Sequence, residues 1–363
     1  MHKRLFIPGP VEVYPPILQA MATPMIGHRT KAYTELHHAV KVKLQEILYT
    51  KNKVYLITSS GTGAMEACVR NCIAKRAAHF TCGEFGERWH AIAQLNGKEA
   101  DKFDVPLGKA IKPEMVDKVL ATGKYDTCFI TANETSVGVM NPLKEIADVV
   151  KKYPDVLLMV DAVSAMAGMK IEVDAWGIDV CLASMQKAFA LPPGFTIASV
   201  SARALARAKT VTNRGYYFDF IEYDKFDEKD QTPTTPSVSH IFALNVQLDA
   251  MLKEGLDNRF NRHKKLASTT RKWVTDHGFK LFTEPGYESI TMTTAESTRN
   301  IDGKTTLIDI KKVNEELGKV GYLISAGYGK MKDTSFRIAH MGDVSEADLN
   351  GLLTEMDRIL KGM

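Results

Sequence analysis

The sequence of 363 residues predicts an α/β fold, in which a mainly parallel sheet is sandwiched by helices and followed by a smaller α+β domain. Strand-like and helix-like segments alternate from residue 54 to residue 200, as expected of right-handed β-α-β crossovers. Val156–Val160 and Asp179–Ala183 are nearly continuous apolar runs, typical of strands buried on both faces of a parallel sheet. The last third, with long charged helices and isolated strands, predicts the second domain.

These patterns divide the chain into an extended arm (1–14), a large domain (15–254) and a small domain (255–363). Large-domain strands are predicted at 54–58, 77–82, 127–131, 156–160, 179–183 and 195–200, with the last one antiparallel. Helices are predicted at 15–21, 33–48, 64–74, 112–120, 143–152 and 241–253, and another begins near 83–89. In the small domain we expect helices at 256–273, 308–317 and 346–360 and strands near Tyr322 and Phe336. Residues 212–231 lack a clear period and predict a surface loop or lid.

Composition and charge are those of an ordinary enzyme. Lys and Arg number 47 and Asp and Glu number 43, giving a net charge of +4 with both signs interspersed. The sequence therefore does not favour nucleic acid or a membrane surface as a partner. The first residues lack the apolar segment of a signal peptide, and nowhere do 18 apolar residues run together. We expect a cytoplasmic protein.

The five cysteines lie in predicted strands or helices: Cys68, Cys72, Cys82, Cys128 and Cys181. Cys68 and Cys72 are one helical turn apart, but no histidine or second cysteine pair accompanies them. We expect small core residues and no metal site.

The two apolar strands are each followed by a residue that can carry chemistry. Asp161 follows the first strand, and Gln186-Lys187 follows the second. The carboxyl ends of neighbouring parallel strands face one crevice, so Asp161 and Lys187 are expected to meet there. From these two residues alone, a structural ion pair explains them as well as a catalytic pair does.

A third segment favours the catalytic interpretation. Ser59–Ala67 follows a predicted strand and opens a helix with small residues, including Gly61-Thr62-Gly63. Free amide groups and the positive end of the helix dipole make such a junction a phosphate site. A phosphate site, a carboxylate and a lysine together indicate pyridoxal 5'-phosphate: the lysine forms the Schiff base and the carboxylate keeps the pyridine nitrogen protonated.

With these residues in place, the chain resembles the class V aminotransferases of fold-type I, and among them the alanine–glyoxylate and serine–glyoxylate group. The resemblance covers nearly the whole chain, and its specificity comes from the order and spacing of several short motifs. They are Pro8-Gly9-Pro10, Gly27-His28-Arg29, Ser60-Gly61-Thr62-Gly63, Asn133–Gly138, Val160–Ser164, Gln186-Lys187 with Pro192-Pro193-Gly194, Thr232–Pro236 and Phe336-Arg337-Ile338.

The resemblance implies several site roles. Phe85 would stack on the cofactor ring, and Thr135 would lie near the cofactor's phenolic oxygen or the substrate. Arg337 would grip the substrate carboxylate through its planar guanidinium, although an arginine on a strand is more often a surface charge. The cofactor-binding residues implied are Thr62, Gly63, Ala64, Phe85, Thr135, Asp161, Gln186, Lys187 and Thr234.

The resemblance also implies a homodimer with shared active sites. In the family an N-terminal arm crosses to the partner, and the loop corresponding to Thr232–Pro236 reaches the neighbouring subunit's cofactor phosphate, with Thr234 at the matching position. Some relatives have a tyrosine just before this loop, where this chain has Gln231.

The function expected is transfer of an amino group from a small amino acid, alanine or serine, to a 2-oxo acid such as glyoxylate or pyruvate. Phosphoserine aminotransferase stays open as the alternative, because that enzyme binds the substrate phosphate with a His-Arg pair and other basic residues. If His28 and Arg29 line the substrate pocket, their charge favours an anionic donor; if they anchor the subunit interface, a small donor fits better.

Three other classes explain the sequence less well. A cysteine desulfurase needs a nucleophilic cysteine near the C-terminal domain, and none follows Cys181. A Rossmann dehydrogenase would explain Gly61-Thr62-Gly63, but the third glycine and the acidic residue about 20 positions later are missing. A binding protein without cofactor would not need Lys187.

Overall fold

Strands and helices alternate through the first two thirds of the chain in the computed structural model, which describes residues 2–362. The strands are β1 (Arg4–Phe6), β2 (Lys53–Ile57), β3 (Ala77–Thr81), β4 (Ala100–Asp104), β5 (Thr127–Thr131), β6 (Asn133–Glu134), β7 (Val139–Met140), β8 (Leu157–Asp161), β9 (Val180–Ser184), β10 (Thr196–Val200), β11 (Phe279–Leu281), β12 (Met292–Ile301), β13 (Lys304–Leu307), β14 (Tyr322–Ala326) and β15 (Ser335–Ala339). The α-helices are α1 (Pro15–Met21), α2 (Lys31–Ile47), α3 (Gly61–Cys72), α4 (Glu84–Leu95), α5 (Pro113–Leu120), α6 (Leu143–Val150), α7 (Val173–Trp176), α8 (Ala202–Thr210), α9 (Phe220–Asp227), α10 (Val238–Glu254), α11 (Leu256–Asp276), α12 (Ile310–Lys319) and α13 (Glu346–Lys361).

The large domain is built on a seven-stranded sheet with the order β2-β10-β9-β8-β5-β3-β4. The strands β9, β8, β5, β3 and β4 run parallel to one another, and β10 runs antiparallel to both β2 and β9. Every residue of β8 and β9 is buried, because helices cover both faces and leave no polar side to the strand. The predicted mainly parallel sheet and its antiparallel member are confirmed.

The structure differs from the sequence prediction at two places in this domain. Residues 212–231 are not simply a loop, because they contain α9, which begins at the side-chain cap Asp219. The strand β4 was not predicted: its residues are at most partly buried, as expected of an edge strand, and so give no continuous apolar run.

The small domain is built on a second sheet with the order β1-β14-β15-β12-β11, to which β13 adds a pairing with β12. Its hydrophobic core contains Phe6 together with side chains from Leu266 to Leu360. The helices α10 and α11 are separated by Gly255 at the predicted domain boundary. The φ of Gly255 is +84°, a backbone conformation that favours glycine and ends α10.

The N-terminal arm has a place within its own subunit. Its strand β1 pairs in parallel with β14, and residues after it reach the large domain, where Val11 donates a backbone hydrogen bond to Gln186. The resemblance implies an arm that crosses to the partner subunit, and the structure gives residues 4–11 contacts within their own subunit.

All five cysteines are buried, as expected of core residues. Among residues 2–362 no helix is both long and apolar enough to cross a membrane.

Candidate active site

A cavity of about 290 Å³ opens at the carboxyl ends of the parallel strands. Its walls come from the first turns of α3 and α4, the β6–β7 hairpin, the residues that follow β8 and β9, and the N-terminal segment. This is where sheets of this kind bind ligands. The predicted site residues that line the cavity are Thr62, Phe85, Thr135, Asp161, Gln186 and Lys187.

Asp161 is the last residue of β8 and is only 4% exposed. Its Oδ1 accepts a hydrogen bond of 2.8 Å from the Val163 amide. Burial raises the pKa of Asp161 to about 7; the Val163 hydrogen bond lowers it, and the carboxylate of Glu134 raises it further. A cation placed against this carboxylate would therefore hold it in the charged form.

Lys187 follows the end of β9 and points into the same cavity. Its Nζ donates to the carbonyl of Pro8 and lies 5.9 Å from the ring centroid of Phe85. Burial lowers the pKa of Lys187 to about 8, and repulsion from Arg337 acts in the same direction. An amine whose pKa lies this close to neutral pH is partly uncharged and can act as a nucleophile and as a base. Among residues 2–362, Lys187 and Asp161 each bond to other groups and do not form a salt bridge with each other. The structural ion pair that the sequence also allowed is therefore not observed.

The segment Pro8-Gly9-Pro10 crosses the cavity beside Lys187. A Cβ on Gly9 would lie 2.9 Å from Cδ and 3.1 Å from Nζ of Lys187, and the φ of Gly9 is +136°. Only glycine leaves room here for the lysine side chain. The sequence analysis quoted this motif for the resemblance but assigned it no site role, because its distance from Lys187 along the chain hides the contact.

The start of α3 offers the predicted anion site. Ser60, Gly61 and Thr62 line the cavity, and the Ser60 side chain does not cap the helix. The Gly63 amide donates to the Ser60 carbonyl at 2.9 Å, and the Gly61 and Thr62 amides before it remain available to an anion. Gly63 and Ala64 belong to the same turn but do not line the cavity.

The first turns of α4 bring an aromatic ring and an arginine to the opposite wall. The ring of Phe85 stacks on Tyr328 with centroids 5.8 Å apart and an angle of 12°. Arg88 lines the cavity with its guanidinium carbon 4.8 Å from the Phe85 centroid, and its Nη2 donates to the Tyr328 hydroxyl at 3.2 Å. The sequence analysis missed Arg88, although a position three residues after Phe85 on a helix lies on the same face.

Glu134 is a fully buried carboxylate beside this wall. It accepts hydrogen bonds from the amides of Phe85, Gly86 and Ser136 and from the Ser136 hydroxyl, at distances from 2.7 to 3.2 Å. Burial raises its pKa, while these hydrogen bonds lower it. Because the first two donors are amides at the start of α4, Glu134 fixes the position of that helix relative to the β6–β7 hairpin.

Arg337 reaches this region from β15 of the small domain. Its guanidinium donates to the carbonyls of Ala326 and Thr135 and to the Ser325 hydroxyl, each at 3.0 Å. Arginine has five N–H donors, so two remain for a ligand. Burial lowers the pKa of Arg337 to about 10, which leaves it charged at neutral pH. Thr135 thus belongs to the cavity wall and also holds Arg337 through its carbonyl.

His28, Arg29 and Thr234 lie away from the cavity of their own subunit. Arg29 donates to the Gln231 side chain and to the carbonyls of Thr232 and Pro233, at 2.8 to 3.4 Å. His28 is partly exposed, and none of the three residues lines the cavity.

The residues present fit pyridoxal 5'-phosphate. Asp161 can pair with the pyridine nitrogen, the start of α3 can receive the phosphate, and Lys187 can bond the aldehyde carbon. Asn133 also lines the cavity, and its buried Oδ1 has no hydrogen-bond partner among residues 2–362. A polar ligand would satisfy such an atom.

Comparison with known sequences identifies a family. Residues 17–279 match the family model described as aminotransferase class-V. An uncharacterized aminotransferase of Methanocaldococcus jannaschii is 39% identical over 99% of this chain and 93% of its own length. The small subunit of a soluble hydrogenase from a Synechococcus species is 30% identical over 98% and 92%. The serine–glyoxylate aminotransferase of Arabidopsis thaliana is 30% identical over 98% and 90%.

Solved structures agree with the fold. The alanine–glyoxylate aminotransferase of a Nostoc species has a TM-score of 0.90 at 26% identity, covering 99% of this chain and 96% of its own. A phosphoserine aminotransferase of Cytophaga hutchinsonii has a TM-score of 0.88 at 27% identity, covering 98% of each chain.

Proposed function

The chain belongs to the class-V aminotransferase family and is a pyridoxal-phosphate-dependent transaminase, and we propose that it moves the amino group of alanine or serine to a small 2-oxo acid such as glyoxylate or pyruvate. The observation that carries the proposal is the meeting of Lys187 and Asp161 in one cavity, beside Arg337 from the small domain. The bound cofactor supplies an electron sink for the pair of electrons left at the substrate's Cα when its proton is removed.

Lys187 is the residue that moves the proton. With cofactor and substrate bound, the neutral Nζ amine of Lys187 would take the proton from the substrate's Cα. Its lowered pKa makes the neutral form available near pH 8, and an amine poised near the working pH is an efficient base. The Pro8 carbonyl, which now accepts from Nζ, can receive the ammonium that results.

Asp161 holds a positive charge on the pyridine nitrogen. Its carboxylate lies at the buried end of β8, where the Val163 amide is its one hydrogen-bond donor within residues 2–362. In surroundings of low polarity, a proton shared with the pyridine nitrogen satisfies both groups.

Arg337 binds the substrate carboxylate and so orients Cα toward Lys187. Its two remaining donors suit a bidentate contact with a carboxylate. The three hydrogen bonds to Ala326, Thr135 and Ser325 fix the guanidinium before substrate arrives, which reduces the ordering cost of binding.

The small-donor assignment is supported by the similarity to a serine–glyoxylate aminotransferase, whereas Arg29 would lie at the partner's cavity if the loop that holds it serves the partner subunit. The Arg29 guanidinium is engaged by the loop at Gln231 to Pro233 of the same subunit. Within one subunit, the His-Arg pair does not reach the cavity that holds Lys187.

A panel of half-reactions tests this function. Purified protein loaded with cofactor is mixed with alanine, serine, phosphoserine, aspartate or 2-aminoethylphosphonate, and the cofactor absorbance is followed. We expect alanine or serine to react fastest, and glyoxylate or pyruvate to reverse the change. A protein that reacts with phosphoserine and with neither alanine nor serine would instead be a phosphoserine aminotransferase.

A homodimer with shared active sites is part of the proposal. The Thr232–Pro236 loop carries an exposed Thr235 and a partly exposed Thr234. Large apolar side chains are also exposed on α1, α2, α10 and the loop after α1: Leu18, Met25, Val42 and Val246. Because α1 and α2 both pack against α10, we propose that these side chains belong to the surface that a second subunit covers.

A further inference from the structure

Arg88 is a cation in the cavity that the proposed reaction does not use. Among residues 2–362, no carboxylate lies within salt-bridge distance of its guanidinium, whose hydrogen bonds are limited to the one donated to Tyr328. Arginine carries five donors, and a charge in a partly closed cavity is costly unless something pairs with it. Four of its donors therefore remain for a ligand.

The other charged side chains in or beside the cavity have a hydrogen-bonded partner or a role in the proposed reaction. Glu134 is surrounded by four donors of its own. Asp161 faces the cofactor nitrogen and Arg337 the substrate's α-carboxylate in the proposed function. Arg88 also adds positive charge near Lys187, where it contributes to lowering the pKa of that amine. The cavity thus has one cation more than the reaction of alanine or serine needs.

Tyr328 joins Arg88 to the carboxylate-binding arginine. The Arg88 guanidinium donates to its hydroxyl at 3.2 Å, and the Arg337 guanidinium lies 5.5 Å from the centroid of its ring. The two guanidiniums therefore lie at the hydroxyl and at the ring of one tyrosine. A substrate held by Arg337 can extend a second acidic group, a few bonds beyond Cα, toward Arg88.

We infer that Arg88 is a second anion-binding residue, which admits four- or five-carbon substrates with a second carboxylate alongside the small monocarboxylic ones. This inference rests on the proposed transaminase site and widens its substrate class. Arg88 selects substrates and takes no part in the proton transfer.

Binding of a dicarboxylate that cannot react tests the inference without turnover. Calorimetric titration of the cofactor-loaded protein with succinate is compared with titration by butyrate, which has the same four carbons but one carboxylate. Arg88→Gln should weaken succinate roughly 10- to 100-fold, the range expected for a lost charged contact, and should change butyrate less than about threefold. Arg88→Lys should restore part of the succinate affinity, and Arg337→Gln should weaken both ligands. Arg358→Gln, which removes a surface arginine of α13 paired with Glu355, is the matched control.

Equal affinity of the wild-type protein for succinate and butyrate would overturn the inference, and so would an equal loss of both in Arg88→Gln. Kinetics give the second arm: in Arg88→Gln the ratio of kcat/KM for aspartate to kcat/KM for alanine should fall at least tenfold, because any effect of the lost charge on Lys187 acts on both substrates and cancels in the ratio. The proposed function is tested by a different result: it is wrong if neither alanine nor serine reacts. Succinate binding does not depend on that result, because succinate has no amino group to transfer.

Discussion

At the scale of single residues, burial pushes the two central groups of the cavity toward their neutral forms. The pKa of Asp161 rises to about 7 and that of Lys187 falls to about 8. Paired shifts of this kind are typical of groups that exchange protons in a reaction. Both groups become charged at low cost only when a ligand supplies the opposite charge.

The lowered pKa of Lys187 predicts how the stability of the cofactor-free protein depends on pH. An unfolded lysine has its ordinary pKa of 10.5, and the folded value is about 8, so between these values the unfolded chain binds a proton that the folded chain does not. The free energy of unfolding should therefore decrease as pH falls from 10.5 to 8, by about 3 kcal/mol. Urea unfolding of cofactor-free wild type and Lys187→Met at about pH 7.5 and pH 10.5 measures this as a difference between the two proteins. If that difference does not change with pH, the lysine is not buried as described.

Asp161 is expected to be essential for turnover and dispensable for cofactor attachment. Asp161→Asn removes the negative charge that keeps the pyridine nitrogen protonated, and we expect the rate to fall by roughly three powers of ten or more. Asp179→Asn is the control, because Asp179 is also buried but does not line the cavity and instead bonds the Leu158 amide and Ser201. Rates are measured in the half-reaction with alanine at saturating cofactor. Near-normal turnover of Asp161→Asn would reject the role.

At the scale of elements, the N-terminal segment links the small-domain sheet to Lys187. The strand β1 pairs with β14, and a few residues later Pro8 and Gly9 contact the lysine side chain. Because β14 pairs in turn with β15, which carries Arg337, one sheet supports both the carboxylate site and the segment over the base. A shift of the small domain would therefore move both together.

Gly9→Ala tests this contact. The new methyl group would meet the Lys187 side chain within about 3 Å, and because that side chain is flexible, we expect Nζ to move and activity to fall at least tenfold. Gly286→Ala is the control: its φ of +88° gives comparable backbone strain, with no atom within 4 Å. The expected result is a similar loss of melting temperature in both variants but a loss of activity in Gly9→Ala alone. Equal activities would show that the segment does not position Lys187.

The sequence could predict those elements whose pattern is set by burial. The strands β8 and β9 are buried on both faces, so their apolar runs are unambiguous. The long strand β12 was missed because its residues, Met292–Ile301, are rich in threonine and become exposed toward the end. The pairing of β1 with β14 brings together residues more than 300 positions apart, and no local pattern records such a contact.

At the scale of the whole molecule, the site is incomplete in one subunit if Thr234 serves the partner's cofactor. Thr234→Ala should then weaken cofactor binding, and Lys187→Ala should abolish activity. When the Thr234→Ala and Lys187→Ala variants are mixed and exchange subunits, hybrid dimers should form. In each hybrid, one of the two sites has both Lys187 and Thr234. Recovered activity at low cofactor, measured against each protein alone, is the expected outcome. No recovery, or an active monomer on sizing, would contradict shared sites.

The candidate site shows the same limit of sequence reasoning as the fold. The meeting of Asp161 and Lys187 in one cavity could be predicted because each lies at or within a few residues of the end of a recognisable strand. Pro8 could not, because the crossing of the N-terminal segment brings it to Lys187. Arg88 could be found only by extending the expected position of Phe85 to the residue on the same face of α4. A substrate role for His28 and Arg29 stays a prediction, because Arg29 is held by the loop at Thr232 and a partner subunit would decide which cavity that loop faces.

The attachment point of the cofactor tests the central claim most directly. Purified protein with bound pyridoxal phosphate is reduced with borohydride, digested, and mapped by mass spectrometry. The account predicts a reduced adduct on the peptide that contains Lys187, and its loss in Lys187→Ala. An adduct on another lysine, or no adduct on a protein that is active, would contradict it.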